Sequence, residues 1–115
     1  GFVVQGRDPA AAQRILDDAK ALTAAGAALM VLECVPRTLA NDITTQLPIP
    51  VIGIGAGAGT DAQVLVMHDM LGMTPRPPRF VQNFLNGGRD IAGAFAAYAA
   101  AVRDGSFPQP EHGFD

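Results

Sequence analysis

One cysteine, Cys34, stands in 115 residues, which excludes an internal disulfide framework and suits a reducing compartment. No charged segment leads into an apolar stretch as a secretory signal would. No apolar run approaches the roughly 20 residues needed to cross a bilayer. The expected location is therefore the cytoplasm, with no membrane partner. Positive charge is scarce too: 8 Lys and Arg against 11 Asp and Glu leave a net charge of -3. Without a basic run or basic residues interleaved with aromatics, the electrostatic footprint of a nucleic-acid partner is missing. Internal repeats and charged low-complexity tracts are also absent. What the chain has is apolar substance: 49% hydrophobic residues in a domain-sized length allow a packed core without disulfide or metal staples.

Two apolar runs dominate, residues 28–33 (ALMVLE) and 51–57 (VIGIGAG). Each reads as a strand buried on both faces, the usual state of a parallel sheet covered by helices. The first ends in a lone carboxylate, Glu33, and the second runs into the glycines of residues 53–59. In such folds the reacting groups collect at the carboxyl ends of the strands.

Local signals place the remaining elements. Asp8 with Pro9 opens a helix that carries Ile15, Leu16, Ala19 and Leu22 at helical spacing and stops at Gly26. A second helix is expected from Pro36 to about Gln46, with Leu39 and Ile43 on one face. Thr60 and Gln63 stand at capping-box spacing and predict a third helix, with His68 and Asp69 beyond its first two turns. Phe80 to Leu85 reads as a short helical turn. Asp90 caps a last helix from Ile91 to about Arg103, with Phe95, Tyr98 and Val102 as its packing stripe, and a polar tail begins at Gly105. This order gives one strand-helix-strand unit of α/β type. Two strands so apolar need neighbours on their edges. The sequence also starts at Gly1 with a strand-like Phe2-Val3-Val4-Gln5, so it is expected to be a piece of a longer chain.

Glu33 has two readings. As a general base, it would be a carboxylate partly out of water whose raised proton affinity suits proton abstraction from carbon; as a structural acid, it would face the free amides of the following helix. Cys34 reads as a small hydrophobe. The glycines of residues 53–59 fit neither the dinucleotide fingerprint nor a P-loop. They leave a backbone that passes close to a ligand, with amides for an anionic or carbonyl oxygen, or else tight packing inside a barrel. His68 reads as a hydrogen-bonded packing residue, since no HxxxH or HxE spacing supports a metal site. His112, in a loose-looking tail, is assigned no chemistry.

Val31-Leu32-Glu33-Cys34-Val35-Pro36, the segment Pro50 to Gly57, the segment Thr60 to Asp69, Pro78-Arg79-Phe80 and the tail Phe107-Pro108 to Glu111-His112 together resemble the carboxyl-terminal half of the ketopantoate hydroxymethyltransferase family, from about Gln5 to the end. The likeness implies a (β/α)8 barrel of the phosphoenolpyruvate/pyruvate class. Residues 1–115 would be a single partial barrel domain with a C-terminal helix at about 91–103 and a tail at 105–115. It implies transfer of a hydroxymethyl group from 5,10-methylenetetrahydrofolate to 3-methyl-2-oxobutanoate with Mg2+, in a large homo-oligomer, a decamer by resemblance. Glu33 matches the family's base, and Gly55 and Gly57 would offer backbone amides to the substrate. The family's metal-binding acids and its substrate-contacting Lys lie in the amino-terminal half, so no residue here is a metal ligand by likeness. A full barrel takes about 250 residues, so this chain alone is expected neither to close one nor to turn over. Ala62, where the family usually has Gly, and Gln109-Pro110 depart from the pattern. Two other roles stay open: a non-catalytic module holding a phosphate or carboxylate in the loop of residues 53–59, and an assembly role for the final helix.

Overall fold

A computed structural model describes residues 2–115. Helix α1 (Pro9–Ala24) starts where Asp8 accepts a hydrogen bond from the Ala11 amide at 2.8 Å, and its chain breaks away at Gly26 with a positive φ of 106°. Strand β1 (Met30–Glu33) follows, then α2 (Arg37–Gln46), β2 (Val51–Ile54), β3 (Ala62–Gln63), the short α3 (Met67–Met70) and α4 (Ile91–Asp104). A 3-10 turn spans Pro110–His112. The strands form one parallel sheet in the order β1-β2-β3, with Glu33 opposite Ile54 and Ile52 opposite Ala62. The mixed α/β class with a parallel sheet is as expected, and the sheet is open, not closed into a barrel.

Helices cover one face of that sheet. Met30 and Leu32 point into a core with Val51, Leu39, Ala40 and Ile43, the last two with no exposed surface. Burying an aliphatic side chain of this kind contributes about 1.5–3 kcal/mol. The alternate residues face outward: Val31 is 56% exposed and Glu33 is exposed as well. The expectation of a strand buried on both faces is therefore not met for β1 within residues 2–115, where nothing covers its second face. The strand-like start makes only one ladder-type bond, from the Gln5 amide to the Cys34 carbonyl at 3.0 Å.

The predicted third helix at Thr60 does not form. Residues 61–64 instead run beside β2, with the Asp61 amide bonded to the Val51 carbonyl and the Val64 amide to the Gly53 carbonyl. Parallel neighbours ordinarily need a crossover of a dozen or more residues; residues 55–61 manage it because glycines pack where side chains would collide. A Cβ on Gly57 would lie 2.8 Å from the Arg37 Cβ. Thr60 and Gln63 do touch, at 3.1 Å, but across a loop.

A second core holds Met70, Leu71, Phe84, Ala94 and Phe107. Phe84, Tyr98 and Phe107 meet edge to face with centroids 5.3–5.9 Å apart. The stripe of α4 is Ala94, Ala97, Tyr98, Ala101 and Val102. Phe95, expected in it, is exposed instead. Phe80–Leu85 is not helical: a turn ends at Phe80, and the Phe84 amide bonds the Met70 carbonyl at 2.8 Å. The tail is not loose either, since Phe107 is buried and His112 Nδ1 accepts from the Gln109 amide at 2.9 Å.

Candidate active site

The parallel register brings the ends of β1 and β2 to one rim. Glu33 sits opposite Ile54, one residue before Gly55. The ladder continues one step past Glu33, with the Cys34 amide bonded to the Ile54 carbonyl at 2.9 Å. There the backbone takes a positive φ of 55° at Cys34, a conformation rare for a residue with a side chain. Both backbone groups of Cys34 are paired, the carbonyl with Gln5, and such pairing is what keeps a strained residue in place. The kink sends the chain into α2 and leaves Glu33 as the last strand residue, on the uncovered face.

The Glu33 carboxylate is exposed in this chain. The expected partial withdrawal from water is not met here, for the same reason that Val31 is bare. Cys34 behaves as expected of a small hydrophobe: burial, and then the neighbouring Glu33 carboxylate, push its thiol up, against a smaller opposing pull from Arg7. A protonated, buried thiol is a poor nucleophile.

Gly55 and Gly57 both have positive φ, 64° and 82°. Gly55 is buried under Phe80, whose ring a Cβ at Gly55 would meet at 2.6 Å, whereas Gly57 lies against Arg37. Gly57 lines a cleft of about 260 Å3 with Arg37, Asn41, Ala58, Gly59 and residues 108–110. Gly55 lies outside it. The Gly57 carbonyl accepts from Gln63 Nε2 at 2.9 Å.

Arg37 has a role that the sequence reading did not reach. Its amide and Nε donate to the Phe114 carbonyl, Nη2 donates to the Pro110 carbonyl at 3.0 Å, and Nε pairs with Asp115 at 3.1 Å. The tail is thereby tied to the start of α2 beside the glycine loop. The available signal was a cation in the first turn of a helix, where the macrodipole disfavours it, which points to a partner elsewhere in the fold. His68 is exposed on α3 and lies outside both cores, so the packing role expected for it is overturned; the longer helix expected to run from Thr60 is replaced by β3 and the short α3.

Among the described residues no three His, Cys, Asp or Glu side chains gather as metal ligands, and no helix is long and apolar enough to cross a membrane.

A sequence model described as Ketopantoate hydroxymethyltransferase matches residues 1–110. The chain is 55% identical to the 3-methyl-2-oxobutanoate hydroxymethyltransferase of Halorhodospira halophila, covering 100% of this chain and 42% of that protein. It is 59% identical to the enzyme of that name from Psychrobacter arcticus, over 99% of this chain and 45% of the relative. Identity to 3-methyl-2-oxobutanoate hydroxymethyltransferase 2 of Pseudomonas aeruginosa is 58%, over 100% and 44%. The chain thus spans less than half the length of the curated relatives it matches.

Proposed function

This chain belongs to the ketopantoate hydroxymethyltransferase family, and from that membership we propose that the protein containing it transfers a hydroxymethyl group from 5,10-methylenetetrahydrofolate to 3-methyl-2-oxobutanoate, giving 2-dehydropantoate for pantothenate synthesis. The supporting observation is the position of Glu33: a carboxylate at the end of β1, in register beside the glycine rim, on the sheet face that this chain leaves open. In this reading the sheet is the last part of a (β/α)8 barrel, residues 1–115 form one partial domain, and the remaining chain covers the open face and withdraws Glu33 from water.

Glu33 removes the proton from the branched carbon of the keto acid. The bonding pair becomes an enolate, which attacks the folate-borne methylene; water supplies the hydroxyl oxygen and tetrahydrofolate departs. Gly57 borders the substrate with its backbone, and Gly55 fixes the rim from beneath Phe80. Family resemblance also implies Mg2+. Among the described residues the acids do not gather into a metal site, so they do not fit that ion, and no step here is built on it. A phosphate-holding module gains no support from the glycine loop, because the cation of its cleft, Arg37, is committed to the tail. The location that fits a free buried thiol is the cytoplasm.

The test is direct. The full-length protein, given both substrates, is expected to form 2-dehydropantoate and, with keto acid alone, to exchange the branched-carbon proton with solvent. Absence of both products of catalysis would sink the proposal.

Assembly into a homo-oligomer, a decamer by family resemblance, is part of the same reading. Ile91 and Phe95 are 57% and 39% exposed and lie four residues apart on one side of α4. Changing both to Ser in the full-length protein is expected to yield a smaller particle by light scattering. An unchanged particle mass would remove α4 from the interface.

A further inference from the structure

A second cavity opens beside the rim. It measures about 360 Å3 and is lined by Phe2, Arg76, Pro78, Arg79, Phe80 and Phe114. Three aromatic rings and two guanidinium groups therefore face one space, and no acid lines it. Phe80 is 2% exposed and packs edge to face with Phe2 at 5.5 Å between centroids. Arg79 lies 5.3 Å from the centroid of Phe114, within cation–π range. Neither Arg76 nor Arg79 forms an ion pair among the described residues, where the one such pair is Arg37 with Asp115. Apolar walls with unpaired guanidinium groups at the mouth suit a ligand with a flat ring and a carboxylate, because a guanidinium binds a carboxylate through two parallel bonds.

Phe80 also fixes where this cavity stands. It closes over Gly55, one residue past the partner of Glu33 in the β1–β2 ladder. We infer that this cavity holds the p-aminobenzoylglutamate arm of the folate co-substrate, the benzoyl ring among Phe2, Phe80 and Phe114 and the glutamate carboxylates on Arg76 and Arg79. The inference rests on the proposed reaction. The transferred methylene bridges two nitrogens of methylenetetrahydrofolate, one of which bears the benzoyl ring, so anchoring the arm here brings the methylene to the rim that carries Glu33. The keto acid has no ring to fill such a space, and its small carboxylate belongs nearer the base.

The test uses the full-length protein and p-aminobenzoyl-L-glutamate as probe. In the unaltered protein the probe is expected to protect Arg76 and Arg79 from modification by phenylglyoxal, mapped by peptide mass spectrometry, while 3-methyl-2-oxobutanoate at equal concentration does not. Lack of protection by the probe, or protection by the keto acid alone, overturns the inference. Arg79→Ala is expected to weaken probe binding and raise the KM for methylenetetrahydrofolate by tenfold or more, Arg79→Lys by less, and Arg76→Ala with Arg79→Ala by more than either single change. Proton exchange of the keto acid, a half-reaction that needs no folate, serves as the check that the rim is intact. Equal probe affinity in all variants, or a fall in exchange matching the rise in KM, refutes the assignment. Failure of the unaltered protein to exchange or to turn over would instead defeat the proposed reaction, and the protection experiment would still decide what the cavity binds.

Discussion

Replacing Glu33 by Gln in the full-length protein is expected to slow solvent exchange of the branched-carbon proton of 3-methyl-2-oxobutanoate by about 10²–10⁴-fold, the usual worth of a positioned general base. That corresponds to about 3–5 kcal/mol of barrier. The amide keeps the shape of the side chain and the β1 register with Ile54 but has no basic oxygen for the proton. Keto-acid affinity should therefore stay close to that of the unaltered protein while exchange and overall turnover fall together. Glu33→Asp should fall between the two, since it keeps the base but withdraws it by one methylene, and misplacement of about 1 Å is enough to cost on the order of 10²-fold. Exchange by Glu33→Gln at a near-normal rate would remove Glu33 as the base.

Gly55→Ala should have the largest effect on stability. Its φ of 64° costs a residue with a Cβ about 1–2 kcal/mol. The added methyl would meet the Phe80 ring at 2.6 Å, and overpacking of this kind costs about 1–3 kcal/mol more. Phe80 is buried, so it cannot swing into solvent without exposing its ring. The expected loss is about 2–5 kcal/mol in urea unfolding. Gly87→Ala is the matched control: its φ is also 64°, yet nothing lies within 4 Å of the new Cβ. If the two variants unfold at the same urea concentration, the Phe80 contact is not what requires glycine at position 55. A partial recovery of Gly55→Ala by Phe80→Leu would locate the strain at that contact.

The helices that begin with an aspartate were legible because their signals are local. Asp8 and Asp90 each bond the amide three residues on, and Gly26 and Gly105 leave their helices with positive φ. Strands β1 and β2 were legible from their aliphatic runs. The one-sided burial of β1 was not, because hydrophobicity shows that a residue seeks cover but not whether the cover is present. Thr60 and Gln63 misled for a different reason. Their spacing fits a helix cap, but pairing of residues 61–64 with β2 offered those backbone groups other partners, and the long-range ladder prevailed over the local preference. Glu33 and the glycine loop were legible as neighbours at strand ends. The Arg37 clamp and the cavity under Arg79 were not, since residues 37 and 114, or 2 and 80, meet only through the folded chain.

The two hydrophobic cores share no side chain, so the molecule has a seam. Phe80 packs onto Gly55 in the loop after β2, and Phe84, four residues on, lies among Met70, Tyr98 and Phe107 in the second core. Cooperative units of this size open with separate free energies. The half built around α4 can therefore loosen while the strand that ends in Glu33 keeps its own footing.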